Sequence, residues 1–188
     1  MGAWPRRRAI PCFIIWYPSA PQVARAVFGE RASMASDVSL FKPELVFFDL
    51  EAETTEEFFV ELGKILLERG NVNDGWYEGI TTREKNYPTG LQCPSMGIAI
   101  PHTDPQFIEN PYIAVVKPKK PIVFQPMAGM GDPVEAKLII NLGVLRDGGQ
   151  VEVLQNLMNI FIDDEKANDV YAQTTAEGMV ETISKYFE

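Results

Sequence analysis

Histidine is almost missing from this chain: among 188 residues there is one, His102. Any imidazole chemistry therefore belongs to that residue, and a zinc site of three or four His or Cys ligands at short spacing is excluded. Cysteine is nearly as scarce. Cys12 and Cys93 cannot form a disulfide framework, which fits a reducing cytoplasm. No apolar stretch approaches the roughly 20 residues needed to span a bilayer. Positive charge is short as well, with 17 Lys and Arg against 26 Asp and Glu and a net charge of -9. That balance argues against nucleic acid, whose phosphates call for clustered cations.

Several motifs are also missing. Neither Gly-x-x-x-x-Gly-Lys-Ser/Thr nor Gly-x-Gly-x-x-Gly occurs, so no nucleotide cofactor is expected. Gly129-Met-Gly131 lacks the following helix that a phosphate cradle would need. There is no Gly-x-Ser-x-Gly, so His102 acting as base for a serine or for Cys93, with Asp104 as orienter, has little behind it. Asp163-Asp164-Glu165 reads as a helix cap rather than a magnesium site. No cofactor and no metal are expected.

What is present is an ordinary globular composition, 46% hydrophobic and 23% charged, enough for one well-packed domain. Charge is unevenly divided: residues 1–33 hold five arginines against Glu30, a balance of +4, which leaves -13 for the rest. That leader also carries Pro5, Pro11, Pro18 and Pro21 and no periodic pattern. It reads either as a secretory signal, with Arg6-Arg7-Arg8 before an apolar Ala9 to Trp16, or as a disordered arm or over-extended start ahead of Met34. The second reading is preferred because Pro11 breaks the short apolar core. The expected organisation is a leader over 1–39 and one domain over 40–188.

Along the body, Glu44 to Leu50 reads as a first strand. Thr54 and Glu57 form a capping box ahead of a helix that buries Phe58, Phe59, Leu62, Ile65 and Leu66 and stops at Gly70. A second helix is expected from about Asp74 to Asn86, ended by Tyr87-Pro88-Thr89-Gly90. Strands follow at Ile98–Ile100, Tyr112–Val116 and Ile122–Phe124, the last two as a hairpin across Lys-Pro-Lys-Lys-Pro. Ala136 to Leu145 is the longest and most central strand. Asp147-Gly148-Gly149 leads into a helix whose apolar face is Val151, Leu154, Leu157, Met158 and Phe161. Helices near 164–172 and 176–187 complete the chain. The expectation is an α/β fold, a mixed, mainly parallel β-sheet with helices on both faces.

The apolar run Gly97-Ile-Ala-Ile-Pro stops at His102, which places the imidazole at a strand end, where open α/β sheets carry their sites. A neutral imidazole is a competent acceptor of a phosphoryl group. Such a carrier needs a cation for the phosphoryl oxygens, and Arg83 has the planar fork for it. Spacing alone equally allows Arg83 to be a surface residue paired with Glu84. Arg83, Lys85, Lys117, Lys119 and Lys120 lie near the motif in sequence and would make that face less negative than the whole.

Arg83-Glu84, then Tyr87-Pro-Thr-Gly-Leu91, then Gly97-Ile-Ala-Ile-Pro-His-Thr-Asp104 resembles the enzyme IIA component of the bacterial phosphoenolpyruvate-dependent sugar phosphotransferase system. The resemblance is to the fructose and mannitol class, and its Pro-His-Thr-Asp form is most similar to the galactitol-type subgroup. Residues 145–161 are similar to that subgroup too, and the likeness covers roughly residues 40 to 187. It implies a cytoplasmic phosphocarrier with a mixed sheet flanked by helices. Phospho-HPr would charge His102, the family suggesting Nε2, and His102 would pass the group to a cysteine of a IIB protein. A membrane IIC subunit would supply the sugar. It also implies that Arg83 holds the phosphoryl group. Mannitol-type members carry a second histidine after the long strand. Gln150 stands there in this chain, able to donate a hydrogen bond but not to take up a charge. Thr103 replaces a common glycine, so its hydroxyl either reaches the phosphoryl group or caps the turn. Asp104 either orients the ring or serves as a turn residue. The alternative role is a regulatory relay in which the phosphorylation state of His102 controls a partner protein.

Overall fold

The computed structural model describes residues 38–129, 131–144 and 149–187; the expected leader lies outside them apart from its last two residues. In chain order the elements are β1 (Phe41–Phe47), α1 (Thr55–Glu68), α2 (Trp76–Asn86), β2 (Gly90–Gln92), β3 (Gly97–Ala99), β4 (Tyr112–Val116), β5 (Ile122–Phe124), β6 (Val134–Gly143), α3 (Gly149–Ile162), α4 (Asp164–Ala172) and α5 (Ala176–Tyr186).

Local chemistry sets these boundaries. The Thr54 hydroxyl accepts from Glu57 N at the start of α1, and Gly70 follows its end with φ 71°, a left-handed turn that glycine takes without strain. α2 stops at Tyr87 because Pro88 disfavours helical backbone in the residue before it. Asp163 and Thr175 cap α4 and α5 in the same way as Thr54.

The strands form one six-stranded mixed sheet in the order β1-β4-β6-β3-β2, with β5 also on β6. β1–β4 and β3–β6 are parallel, whereas β2–β3, β4–β6 and β5–β6 are antiparallel. β1, β2, β4 and β5 therefore run one way, and β3 and β6 the other. The expected hairpin between β4 and β5 does not form. Both strands pair with β6, Val116 opposite Ile139 and Ile122 opposite Ala136. β6 is long enough to take them end to end, and the link between them bends at Lys119 and Lys120 without reversing the chain.

Alternation along the strands divides the core into two layers. Ile98, Ile113, Val115, Leu138, Ile140 and Leu142 pack under α3, α4 and α5 through Leu157, Phe161, Val170 and Ile183. Ala99, Tyr112, Ala114, Val116 and Ile139 face α1 and α2 through Phe58, Leu62, Trp76 and Ile80. Helices thus cover both faces, as expected. β6 carries an irregularity opposite β3: Gly97 pairs with Ala136 but Ile98 with Leu138. The extra residue switches which β6 side chains face which layer. A Cβ on Gly97 would collide with the Glu135 carbonyl oxygen at that point, so the glycine of the motif is what lets β3 approach β6.

Candidate functional site

His102 lies just beyond the end of β3. Ile98 pairs with Leu138, Ala99 with Ile139 and His102 with Leu142, so the parallel register runs on past Pro101, which has no N–H to give. Leu142 N donates to the Pro101 carbonyl at 3.1 Å. On the other side, Ile100 N donates to Thr89 O at 3.3 Å, fixing the strand end to the turn after α2. That turn is held by Glu84, whose buried carboxylate accepts from Thr89 N at 2.9 Å and from the Thr89 hydroxyl at 2.8 Å. Burial pushes the Glu84 carboxyl up from its ordinary value, and the two Thr89 bonds oppose this.

The imidazole is held at both nitrogens. Nδ1 lies 2.9 Å from the Ile100 carbonyl oxygen, which only accepts, so Nδ1 carries the proton. Nε2 is then the basic nitrogen, and Arg83 Nη2 donates to it at 3.0 Å. Burial pushes the pKa of His102 below its ordinary value; the Ile100 bond opposes this, Arg83 adds to it and Asp104 opposes it. The ring is therefore neutral at neutral pH, with its lone pair on Nε2.

Arg83 comes from the last turn of α2, one turn after Ile80 and two after Trp76, and so on the same side of the helix as both. Besides the ring it donates from Nη1 to Asp104 at 3.3 Å, and its guanidinium carbon is 5.7 Å from the centroid of the Tyr87 ring. Its Nε is buried and makes no hydrogen bond among the described residues. The pairing with Glu84 that spacing allows does not occur, because Thr89 takes that carboxylate.

The remaining sequence candidates separate. Asp104 is exposed and binds Arg83, and the ring N–H goes to Ile100 O instead of to Asp104. Thr103 is buried, at 1% exposure. Gln150 stands in the first turn of α3, and its side chain lies outside the described atoms. The cationic cluster suggested by sequence disperses. Lys117 donates to the carbonyls of Tyr171 and Gln173, Lys119 pairs with Glu51 and Lys120 with Glu53, while Lys85 lines a separate cleft beside Thr54 and Glu56. Among the described residues, Arg83 is the cation that touches His102.

A shallow cleft of about 480 Å³ opens over the histidine, lined by Tyr87, Pro88, Thr89, Met127 and Ala128. Tyr87 is 68% and Met127 39% exposed, which gives the rim an apolar character suited to a protein partner. No group of three or more His, Cys, Asp or Glu among the described residues is placed to hold a metal, and none of their helices is long and apolar enough to cross a membrane.

Two contributors escaped sequence reasoning. The Ile100 carbonyl carries no side-chain signal at all. Asn141, whose Nδ2 donates to the Pro101 carbonyl at 3.0 Å, was visible only as the one polar residue in the apolar run Leu138–Leu142.

Comparison with known proteins gives concordant results. The family model for the phosphoenolpyruvate-dependent sugar phosphotransferase system, EIIA 2, matches residues 39–186. The galactitol-specific EIIA component of the PTS system of Escherichia coli (strain K12) is 30% identical over 101 residues, 54% of this chain and 67% of that protein. The transcriptional regulator ManR of Bacillus subtilis (strain 168) is 35% identical over 80 residues, 43% of this chain and 12% of ManR. Among solved structures, the complex of enzyme IIAMtl and phosphorylated enzyme IIBMtl from Escherichia coli matches with a TM-score of 0.61 at 22% identity, over 76% of this chain and 95% of the matched one. At that identity the likeness is one of fold, and the fold is the mannitol-type IIA fold.

Proposed function

This chain belongs to the EIIA 2 family of the phosphoenolpyruvate-dependent sugar phosphotransferase system, and from that premise we propose that it is a cytoplasmic phosphocarrier with His102 as its phosphoryl acceptor and donor. Phospho-HPr supplies the group, and a cysteine of a IIB protein receives it on the way to a sugar delivered by a membrane IIC subunit. The observation that carries this reading is the ring geometry: Nδ1–H is committed to the Ile100 carbonyl, so the Nε2 lone pair is aimed at Arg83.

The chemistry follows from those contacts. The Nε2 lone pair attacks phosphorus while the donor's P–N bond breaks and its electron pair returns to the donor imidazole. Positive charge develops on the His102 ring, and the Ile100 carbonyl stabilises it through Nδ1–H. Arg83 shifts from Nε2 to the phosphoryl oxygens, where its planar fork and its unpaired Nε find charged acceptors. Asp104 retains one end of the guanidinium during that movement. Thr103 and Gln150 are the further candidate donors to the phosphoryl group. Transfer onward reverses the same steps with a thiolate as nucleophile.

The similarity to a galactitol-specific EIIA component supports a galactitol-like class, and the fold likeness to a IIA protein in complex with its phosphorylated IIB supports a IIB partner. A second reading has its own support in the similarity to ManR: a regulatory relay in which phosphorylated and free His102 present different surfaces to a partner.

The test is phosphoryl transfer from phosphoenolpyruvate through enzyme I and HPr, comparing wild type with His102→Ala. An acid-labile, base-stable label on the wild type and none on the variant is the expected result. An unlabelled wild type beside a charged HPr control rejects the carrier reading. Transfer from the labelled protein to a galactitol-type IIB then separates transport from regulation.

A further inference from the structure

The six-residue stretch Ile139–Val144 lies at the centre of the sheet and is buried throughout, yet one of its members is an asparagine. Asn141 is 0% exposed. Burying an amide in an aliphatic layer is unfavourable unless its donor and acceptor are satisfied, and here both are. Nδ2 donates to the Pro101 carbonyl at 3.0 Å, and Oδ1 accepts from the Tyr112 hydroxyl at 2.7 Å. Tyr112 is itself 0% exposed, and burial keeps its hydroxyl protonated far above the ordinary range. Its ring lies over Gly143, where any Cβ would collide with it. Tyr112 on β4 and Asn141 on β6 thus form a hydrogen-bonded chain that ends on one carbonyl oxygen, with Gly143 leaving room for the tyrosine ring.

That oxygen belongs to the peptide joining Pro101 to His102. Proline has no N–H, so the carbonyl is the one backbone group through which this residue can be tied to the sheet. It receives two donors, Leu142 N at 3.1 Å and Asn141 Nδ2. A peptide unit is planar, so fixing its oxygen fixes the plane that ends at the His102 nitrogen and Cα. From that Cα the ring is tied back at Nδ1 to the carbonyl one residue earlier, that of Ile100. The aim of Nε2 is therefore set by two consecutive carbonyls. An ordinary strand ladder would need only the Leu142 bond, and a leucine at position 141 would fill the layer with no polar group to satisfy.

We infer that Asn141, clamped by Tyr112, is a positioning residue for His102: it holds the Pro101–His102 peptide in the orientation that presents Nε2 to the incoming phosphoryl group. The inference rests on the phosphocarrier reading, since its rate consequence requires His102 to be the acceptor. Its geometric content, one ring tautomer in one orientation, holds independently of any donor.

The decisive variant is the double substitution Asn141→Leu with Tyr112→Phe. It removes the amide and the hydroxyl together and leaves the Pro101 carbonyl its Leu142 donor, so that carbonyl is not orphaned. The expected outcome is a urea midpoint close to wild type with kcat for phosphoryl transfer from phospho-HPr lowered by about 10- to 100-fold, the scale on which small misplacements act, and KM little changed. In 15N spectra the His102 ring, held as the Nδ1–H tautomer in the wild type, shifts toward a mixture of tautomers. Tyr112→Phe alone, which leaves the amide in place but unclamped, gives a smaller change in the same direction. Wild-type kcat and wild-type ring shifts in the double variant overturn the proposal and make the network purely a matter of packing. Should the double variant fail to fold, the same two readings on Tyr112→Phe decide it. A wild type that takes no phosphoryl group defeats the carrier reading instead, and the tautomer measurement still judges the positioning.

Discussion

At the scale of single residues the site is an imidazole whose charge state is set by its neighbours. Burial is the largest influence on His102 and lowers its pKa; Arg83 adds to this, while the Ile100 carbonyl and Asp104 oppose it. The titration midpoint is therefore expected below the roughly 6.5 of a free imidazole. The consequence for stability has a definite sign. Below about 6.5 the unfolded chain takes up the proton before the folded one does, so this group lowers stability as pH falls through that window and contributes no slope above it. Phosphoryl acceptance follows the neutral fraction and persists to lower pH than a free imidazole would allow. The two charged neighbours give opposite tests. Arg83→Ala removes a cation at 3.0 Å from Nε2 and should raise the midpoint of the His102 ring proton in an NMR titration. Asp104→Asn should lower it. Shifts in the same direction for both variants would mean that these two side chains do not act on the ring through their charge. Much of this was legible in the sequence, because a lone histidine after Ala-Ile-Pro and an arginine beside a glutamate are chemically conspicuous. The Ile100 carbonyl was not, since any residue supplies one.

At the scale of elements, the turn between α2 and β2 connects the cation to the histidine strand. Arg83 and Glu84 are adjacent on α2 but do different things: Arg83 reaches the ring, and Glu84 ties down Thr89, whose carbonyl receives Ile100 N. Removing the carboxylate with Glu84→Ala leaves the Thr89 N–H and hydroxyl without their partner and should lower stability by about 1–3 kcal/mol. Glu84→Gln keeps an acceptor for the N–H and a donor for the hydroxyl. Because burial raises the Glu84 pKa in the folded state, its ionised form is disfavoured there, and the wild type gains relative to the glutamine variant as pH falls through that raised value. Urea midpoints of the three proteins at neutral and mildly acidic pH check both statements. A glutamine variant as unstable as the alanine one would show that the charge itself holds the turn.

The same turn shows what patterning can and cannot reveal. β6, α1 and α5 were readable from apolar periodicity and caps, because each buries several large side chains at regular spacing. β2 was not: Gly90, Leu91 and Gln92 offer one apolar residue, and the strand exists because β3 lies beside it. The β4–β5 hairpin was expected from proximity in sequence. Pairing was decided by the length of β6, a property of the sheet and not of the link.

For the whole molecule, the site draws its parts from layers that are stabilised separately. His102, Pro101 and Asn141 belong to the sheet, whereas Arg83 arrives on α2, which is docked by Trp76 and Ile80 into one hydrophobic layer. In the opposite layer Ile183 of α5 and Phe41 of β1 belong to the same core as Ile100 and Leu142, which meet the site through backbone groups alone. Cavities of similar size in the two layers should therefore act alike on stability and differently on function. Ile80→Ala and Ile183→Ala each remove a side chain that is 0% exposed, and each is expected to lower the unfolding free energy by about 2–5 kcal/mol. Ile80 lies one turn before Arg83 on the same helix, so its loss lets α2 settle differently and displaces the guanidinium relative to Nε2. Under conditions where both variants remain folded, phosphoryl acceptance from phospho-HPr should fall severalfold in Ile80→Ala. It should stay near wild type in Ile183→Ala. Urea midpoints and transfer rates measured on the same preparations make the comparison. Equal losses of rate in both variants would mean that His102 and Arg83 are aligned by global stability alone, and unequal ones that the α1–α2 layer carries the alignment.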